Sequence, residues 1–397
     1  MAERSLFGVA ELVDHCVGFV DSPRSLIACA LVARSWADAA QSRLLRAPHV
    51  MNYSLSLGLD RSWLPLLDAL CSSPHLIRHV RELELKRGYH MQALTQTTVK
   101  RICNLPFTDL NSVTLFMEES ISGPEALELQ QLFSLPSLRY VRLRTDITDP
   151  STFAEIWIRC SASIQHLDLT ASFANFAPAP PPSLRRNPTR LASLRLMFLG
   201  GRQCNQEELY FWALHPFDLS HLKALSAHHE GGVLWSAFAA AKIQYLDLDT
   251  AFSPKIADGA LDLSMFPSLS FLRISPVDCR APALLAAMST VTASHHIGTI
   301  AIDLGSFVLR GLIRNGTGYG LLGMTECIQF DSTISTLPMS QMPTVEFEVD
   351  DKPGLKLFIG LTSRDGLRFI PRRHDPWWKR ERSHVANAAS NGLWNDI

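Results

Sequence analysis

The sequence has few of the features that mark common binding chemistries. Its eight cysteines are scattered, with no C-x-x-C pair, which argues against a zinc site or a disulfide framework and favours a reducing compartment. No apolar run approaches the roughly 20 residues of a membrane-spanning helix. Glu11, Asp14 and His15 interrupt the first apolar stretch, so we expect no secretory signal. These absences predict a cytoplasmic or nuclear protein.

The net charge is close to zero, and recognisable catalytic motifs are few. The net charge of -1 argues against binding to nucleic acid or to a membrane through bulk charge. A glycine-rich run at 316–320 lacks the lysine of a P-loop, so we interpret it as a turn. The adjacent histidines at 228–229 and 295–296 point in different directions, whereas a metal site needs convergent ligands. We expect neither an enzyme nor a cofactor.

The most regular feature that is present is an internal repeat of the form L-x-x-L-x-L. Nine copies occur in order, at a mean spacing of about 27 residues, and they end at Leu85, Leu115, Leu143, Leu169, Leu196, Ala227, Leu248, Ile274 and Ile302. Residues two apart in a strand face the same way, so the two apolar residues of L-x-L point into one core. A unit of this size cannot bury its apolar face alone, and neighbouring units therefore stack.

Helix-like segments separate these strands, at 61–72, 124–133, 151–160, 205–213 and 281–291. Strand–helix alternation predicts an α/β fold with a parallel sheet on one side and helices on the other. The pattern resembles the leucine-rich-repeat fold over about residues 55–305, as an irregular solenoid with concave strands and convex helices. The 397 residues exceed one ordinary core, which fits such an array.

The alternation also predicts a binding face. The apolar positions should be buried, and the residues between them should face solvent as one concave surface for a protein target whose identity is unknown. The positions that we assign to target binding are Tyr140, Arg142, Arg144, His166, Asp168, Arg195, Tyr245, Asp247, Asp249, Phe271 and Arg273, with Glu82 and Glu84 beside them. Aromatic and arginine side chains are the usual anchors of such surfaces.

The first fifty residues predict three short helices. One spans 11–20, with Leu12, Cys16, Phe19 and Val20 on an apolar stripe; Ser22 and Pro23 begin a second, and Ser35 can cap a third. Three helices of this length bury too little surface to be robust alone, and they carry more apolar side chains than one small core covers. We therefore expect a module that packs against a neighbour or a partner.

The stretch Leu26 to Trp36 in this module resembles an F-box, and the resemblance covers about residues 6–47. It departs at Gly8-Val9, where the family usually has Leu-Pro. The resemblance implies the substrate-recognition adaptor of a Skp–cullin–F-box ubiquitin ligase, bound through a Skp-type adaptor to a cullin–RING ligase. The residues that it implies for adaptor binding are Leu12, Cys16, Pro23, Leu26, Leu31, Val32 and Trp36. The departure keeps open a repeat-based scaffold without ligase engagement.

The remaining segments are less regular. Ile328–Phe330, Val345–Val349 and Leu355–Ile359 alternate and predict strands, so we expect a strand-rich cap at 306–382 and a mobile tail at 383–397. The basic and aromatic run at 372–380 either packs on the body or docks a partner. The proline-rich stretch at 173–188 predicts a surface insertion, or a ligand for a proline-reading partner.

Overall fold

A computed structural model describes residues 4–46, 49–51, 64–87, 96–117, 120–147, 150–173, 188–199, 214–229, 235–249, 261–275, 286–293, 295–303, 332–333, 343–349 and 367–371. The chain divides into two compact units. Unit 1 comprises Met1–Leu167 with Ala177–Thr189, and unit 2 comprises Asp168–Phe176 with Arg190–Ile397. The domain boundaries that the sequence suggests at residues 47, 55, 305 and 382 stay predictions.

Unit 1 begins with three helices, α1 (Arg4–Gly18), α2 (Pro23–Val32) and α3 (Arg34–Leu45). The predicted cap of α2 is confirmed, because the Ser25 amide donates to Ser22 Oγ at 3.5 Å and Pro23 is the first helical residue. The predicted cap of α3 is wrong. That helix begins directly after Ala33, without a side-chain cap, so Ser35 lies inside its first turn.

The helices pack around a small core of Val13, Val17, Leu26, Ala39 and Ala40. The apolar stripe that we predicted here is wrong at three of its four positions, because Leu12, Cys16 and Phe19 are exposed and Val13 and Val17 are buried instead. Its fourth member, Val20, is half-buried against the core as expected. Both stripes recur with helical spacing, so periodicity alone did not choose between them.

The rest of unit 1 alternates parallel strands with helices. The strands are β1 (His49–Met51), β2 (Glu82–Arg87), β3 (Ser112–Met117) and β4 (Tyr140–Ile147), and β5 (His166–Phe173) begins at its end. The helices are α4 (Leu64–Ser72), α5 (Gln96–Cys103), α6 (Gly123–Phe133) and α7 (Pro150–Trp157), with a 3-10 helix at Pro74–His79. β1 to β4 are neighbours in chain order and all parallel. The predicted strand–helix alternation is confirmed here.

Register follows the apolar pattern. Leu85 pairs with Leu115, which pairs with Leu143, and all three are at most 2% exposed. On the helical side, the rings of Phe133 on α6 and Trp157 on α7 stack 5.0 Å apart. Each repeat therefore completes the core of its neighbour.

A recurring backbone contact sets the spacing of the strands. The carbonyl oxygen that precedes one strand accepts hydrogen bonds from two consecutive amides at the start of the next strand. Arg81 O accepts from Asn111 and Ser112, and Asn111 O accepts from Arg139 and Tyr140. Arg46 O, at the end of α3, accepts from Arg81 and Glu82 in the same manner, so the three-helix module joins this series.

Serine side chains add to these contacts. Ser137 Oγ donates to Leu110 O at 2.9 Å, and Ser163 Oγ donates to Leu138 O at 2.7 Å. The two serines thus provide hydrogen-bond donors to the carbonyls of the bends that precede the strands.

Unit 2 contains most of β5 and a parallel series of strands: β7 (Ser193–Leu199), β9 (Ala224–His229), β10 (Tyr245–Asp249), β11 (Phe271–Ser275), β12 (Thr299–Asp303), β13 (Thr344–Val349) and β14 (Leu367–Pro371). Two-residue strands lie at β6 (Thr189–Arg190) and β8 (Phe217–Asp218), and 3-10 helices at Trp235–Phe238 and Leu263–Met265. Of the predicted helices, 205–213 lies outside the described residues, and residues 286–289 are helical.

The C-terminal strands extend the sheet of unit 2. The strand predicted at Val345–Val349 is confirmed as β13, which pairs in parallel with β12, and β14 continues the series. The strands predicted at 328–330 and 355–359, the proline-rich run at 174–187 and the basic run at 372–380 lie outside the described residues. No helix in the described part of the chain is long and apolar enough to cross a membrane.

Candidate functional site

The exposed apolar side chains concentrate in the three-helix module. Of the seven large hydrophobic side chains that are exposed among the described residues, five lie between positions 12 and 32. They are Leu12, Phe19, Ile27, Leu31 and Val32, and Leu31 is 82% exposed. Contiguous exposed apolar residues on a folded domain usually mark a protein or membrane interaction surface.

Helix α2 has two distinct faces. Leu26 is buried, and Cys29 and Ala30 are half-buried against the core of the module. Ile27 and Leu31 are one helical turn apart, so they form an exposed stripe with Val32 at its edge. We call Ile27, Leu31 and Val32 the α2 outer face.

The residues that the F-box resemblance assigns to adaptor binding differ in their exposure to solvent. Leu12, Cys16, Pro23, Leu31 and Val32 are exposed, and Trp36 is half-buried. Leu26 is 5% exposed and belongs to the core, so its assignment to a contact surface is wrong. Sequence analysis missed Ile27 as an exposed contact residue; its spacing of four from Leu31 was the available signal. The departing dipeptide Gly8-Val9 lies within α1.

In unit 1 the predicted binding face of the sheet is partly exposed. Glu82, Glu84, Tyr140, Arg142 and His166 are half-buried, and Arg144 is exposed. The guanidinium carbon of Arg142 lies 5.2 Å from the centroid of the Phe116 ring on β3. This contact, a cation–π interaction, holds the arginine over the sheet.

Tyr140 and His166 form an aromatic pair on the same face. Their rings stack with centroids 4.3 Å apart and planes 5° from parallel. Burial lowers the pKa of His166 to about 4, because desolvation disfavours the imidazolium. The imidazole is therefore neutral at physiological pH and adds no charge to the face.

In unit 2 the predicted binding face is buried, which corrects the sequence analysis. Arg195 is half-buried, and the Asp249 side chain lies outside the described residues. The others on this face are at most 8% exposed: Asp168, Tyr245, Asp247, Phe271 and Arg273. Parallel sheets are commonly covered on both faces, and an L-x-L pattern specifies only which face is the apolar core.

Side-chain pairing shows how unit 2 accommodates these residues. Arg273 Nη1 donates to Asp247 Oδ1 at 3.0 Å across β10 and β11, with both side chains 4% exposed. The neighbouring rings of Tyr245 and Phe271 stack 4.7 Å apart. Small residues, including Ala224 and Ala301, complete this buried cluster. These side chains stabilise the fold and do not form an accessible binding surface.

His295, from one of the two pairs of adjacent histidines, has a structural role. His295 is buried, and its Nε2 lies 2.8 Å from Leu263 O while its Nδ1 lies 2.9 Å from Thr292 Oγ1. Within the described ranges, no group of three or more His, Cys, Asp or Glu side chains is placed to hold a metal ion. The two exposed surfaces in unit 1, the α2 outer face and the sheet face, are therefore the candidate sites.

Comparisons with known proteins do not assign a function to the chain. No family model matches the chain, and no curated protein matches it. Among solved structures, the chain is similar to the crystal structure of the leucine-rich repeat-containing protein LegL7 from Legionella pneumophila, with 13% identity and a TM-score of 0.40. The alignment covers 79% of this chain and 99% of that chain. Function therefore has to be argued from the residues of this chain.

Proposed function

We propose that this chain is a substrate-recognition adaptor of a Skp–cullin–F-box ubiquitin ligase. The α2 outer face would bind the Skp-type adaptor, and the partly exposed sheet face of unit 1 would bind the target. The observation that carries the proposal is the exposure of Ile27, Leu31 and Val32 within the segment, Leu26 to Trp36, that resembles an F-box. Burial of each such side chain in an interface is worth about 1.5–3 kcal/mol.

The division of α2 into two faces supports a docking role. Leu26, Cys29 and Ala30 already supply the contacts that hold α2 on its module. The apolar side chains at 27, 31 and 32 contribute nothing to that core and cost solubility in an isolated chain. A partner with an apolar groove would remove them from water.

The junction between the module and the first repeat supports coupling of the two surfaces. Asp38 on α3 accepts from Arg78 Nη2 at 2.5 Å and lies 3.3 Å from His79 Nε2, both in the 3-10 helix that precedes β2. The Arg46 carbonyl adds two backbone hydrogen bonds to the start of β2. An adaptor bound at α2 would therefore present the sheet face of unit 1 in a defined orientation.

Calorimetric titration of the full chain with a purified Skp-type adaptor tests the proposal. The native chain should bind, and Ile27→Asp combined with Leu31→Asp should abolish binding, because two carboxylates would be buried without partners. The matched control is Leu127→Asp with Ile158→Asp, which alters the two exposed hydrophobics of α6 and the end of α7 and should leave binding unchanged. Absence of binding by the native chain would remove the ligase proposal.

The second candidate is a repeat-based scaffold that does not engage a ligase. The departure at Gly8-Val9 favours it, since this dipeptide lies within helix α1 where the F-box family usually has Leu-Pro. Val9 is the sixth residue of α1, so Val9→Pro would break the helix and would not restore adaptor binding. Gly8→Leu by itself is the restoration that the helix tolerates, and it should tighten binding.

A further inference from the structure

A buried histidine lies at the junction between the three-helix module and the first repeat. His79 ends the 3-10 helix Pro74–His79, which packs against α3 and α4. The side chain of His79 is 8% exposed, whereas the side chains of its neighbours Arg78 and Asp38 are more than half exposed. A histidine ring that leaves water when two elements pack together makes that packing depend on the protonation of the ring.

The ring nitrogen Nε2 of His79 has two neighbours with opposite requirements. Arg78 Nε donates to it at 3.4 Å, which requires a free lone pair on Nε2. Asp38 Oδ1 lies 3.3 Å from the same nitrogen and can accept from it only when Nε2 carries a hydrogen. The imidazolium always carries that hydrogen, so protonation of His79 breaks the contact with Arg78.

The charges that face the ring come from three directions. On α3, Asp38 faces His79, and it already accepts from Arg78 Nη2 at 2.5 Å. His75 in the same 3-10 helix and Arg81 directly after it also act on His79.

On α4, which packs against the same 3-10 helix, the carboxylate Asp68 is paired with Arg101 at 2.6 Å. Asp38 is therefore the carboxylate that favours the imidazolium, against several positive groups.

These surroundings favour the neutral ring. Desolvation is the largest cause that lowers the pKa of His79 from 6.5, and the charges of Arg78, His75 and Arg81 lower it further, whereas Asp38 raises it. A ring that has returned to water keeps the ordinary pKa. As the pH falls below about 6.5, the proton therefore binds the separated junction before the packed one.

Backbone hydrogen bonds close the same junction. The Arg46 carbonyl, at the end of α3, accepts from the amides of Arg81 and Glu82 at 3.0 and 2.9 Å. Exchange of these two amides with solvent requires these bonds to break. The amides therefore report the separation of α3 from the start of β2.

We propose that His79 is a proton-sensitive switch between the three-helix module and the first repeat. Neutral His79 keeps α3 packed on the 3-10 helix, and protonation of the ring separates α3 from that helix and from the start of β2. Acidification thus uncouples the module from the repeats reversibly. The switch is independent of what the module binds, so it applies to both candidate functions.

Hydrogen exchange with mass spectrometry on the full chain tests the switch at pH 7.5 and 5.5, after correction for the intrinsic pH dependence of exchange. Protection of Arg81 and Glu82 should fall at pH 5.5 relative to Arg139 and Tyr140, which donate to Asn111 O in the same manner two strands further on. Because pH 5.5 is one unit below the ordinary pKa, the fall should lie between about twofold and tenfold. An equal change at both places would overturn the proposal.

Substitution of the histidine separates its titration from that of its neighbour. His79→Gln keeps a polar side chain and cannot be protonated, so the additional fall at pH 5.5 should disappear. The matched control is His75→Gln, which removes an exposed histidine from the same 3-10 helix and should keep the fall. A fall that persists in His79→Gln, or that disappears in His75→Gln, would contradict the switch.

Two further variants leave His79 in place and distinguish titration from a purely structural role. Arg78→Gln and Asp38→Asn remove the same ion pair, so both should loosen the junction at pH 7.5. Loss of Arg78 makes the imidazolium easier to form beside Asp38 and should reduce the further fall at pH 5.5, whereas loss of Asp38 should enlarge it. Equal falls in the two variants would overturn the proposal. Circular dichroism at both pH values verifies that each chain is folded.

Discussion

The buried ion pair of unit 2 allows a quantitative test of the face that the sequence analysis placed in solvent. Asp247 Oδ1 and Arg273 Nη1 are 3.0 Å apart, and each side chain is 4% exposed. Asp247→Ala leaves the guanidinium buried without this carboxylate, and removal of one partner of a buried pair costs about 3–5 kcal/mol. Asp247→Val combined with Arg273→Met removes both charges at a similar total side-chain volume, so it should recover most of that loss.

Urea denaturation followed by far-ultraviolet circular dichroism gives the free energy of unfolding of each variant, provided that the slope m is unchanged. The control is Arg144→Met, at an exposed strand arginine, which should alter the free energy by less than about 0.5 kcal/mol. A change of that small size for Asp247→Ala would show that the pair is solvated. Our account of a sheet covered on both faces in unit 2 would then be wrong.

Four further predictions follow from burial and charge. Leu143→Ala should cost about 2–5 kcal/mol in the same denaturation assay because Leu143 is fully buried between neighbouring repeats, and a loss below about 1 kcal/mol would contradict the packing. Leu31→Asp should leave the melting temperature unchanged, whereas Leu26→Asp should unfold the three-helix module; equal effects would refute the two-faced helix. Burial raises the pKa of Cys103 to about 12, so iodoacetamide at pH 8 should modify the exposed Cys16 and Cys71 and spare Cys103, as mass spectrometry can determine. The pKa of His166 is lowered from 6.5 to about 4, so between these pH values the unfolded chain binds a proton that the folded chain does not, and the free energy of unfolding should fall as the pH drops from about 6.5 to 4. Substitution of His166 by Phe should remove this pH dependence, and an NMR titration of His166 with a midpoint near 6.5 would contradict the prediction.

The repeat pattern predicted the parallel strands well because it reports a physical requirement. Each unit must bury an apolar face, so the residues that do so recur at every strand, and Leu143, Leu169 and Leu248 are all buried as expected. The same pattern does not determine whether the opposite face of the sheet is exposed or buried. Whether Asp247 meets solvent or another part of the chain depends on contacts between residues distant in sequence, which no local periodicity records.

The three-helix module shows a related limit. The sequence predicted an excess of apolar side chains over what one core can cover, and five exposed hydrophobics between positions 12 and 32 confirm it. It placed the apolar stripe of α1 on Leu12, whereas the buried stripe begins at Val13, since each of these residues begins a plausible helical series. The packing of α1 and α2 on α3 decides that choice, and it turned Leu26 inward and Ile27 outward.

Assembly of the ligase itself is the most direct test of the proposed function. Purified full chain, Skp-type adaptor and a cullin–RING pair are mixed and separated by gel filtration. We predict a single complex that contains all components, and we predict that the chain with Ile27→Asp and Leu31→Asp elutes apart from the others. Co-elution of adaptor and cullin–RING without the native chain would contradict the account.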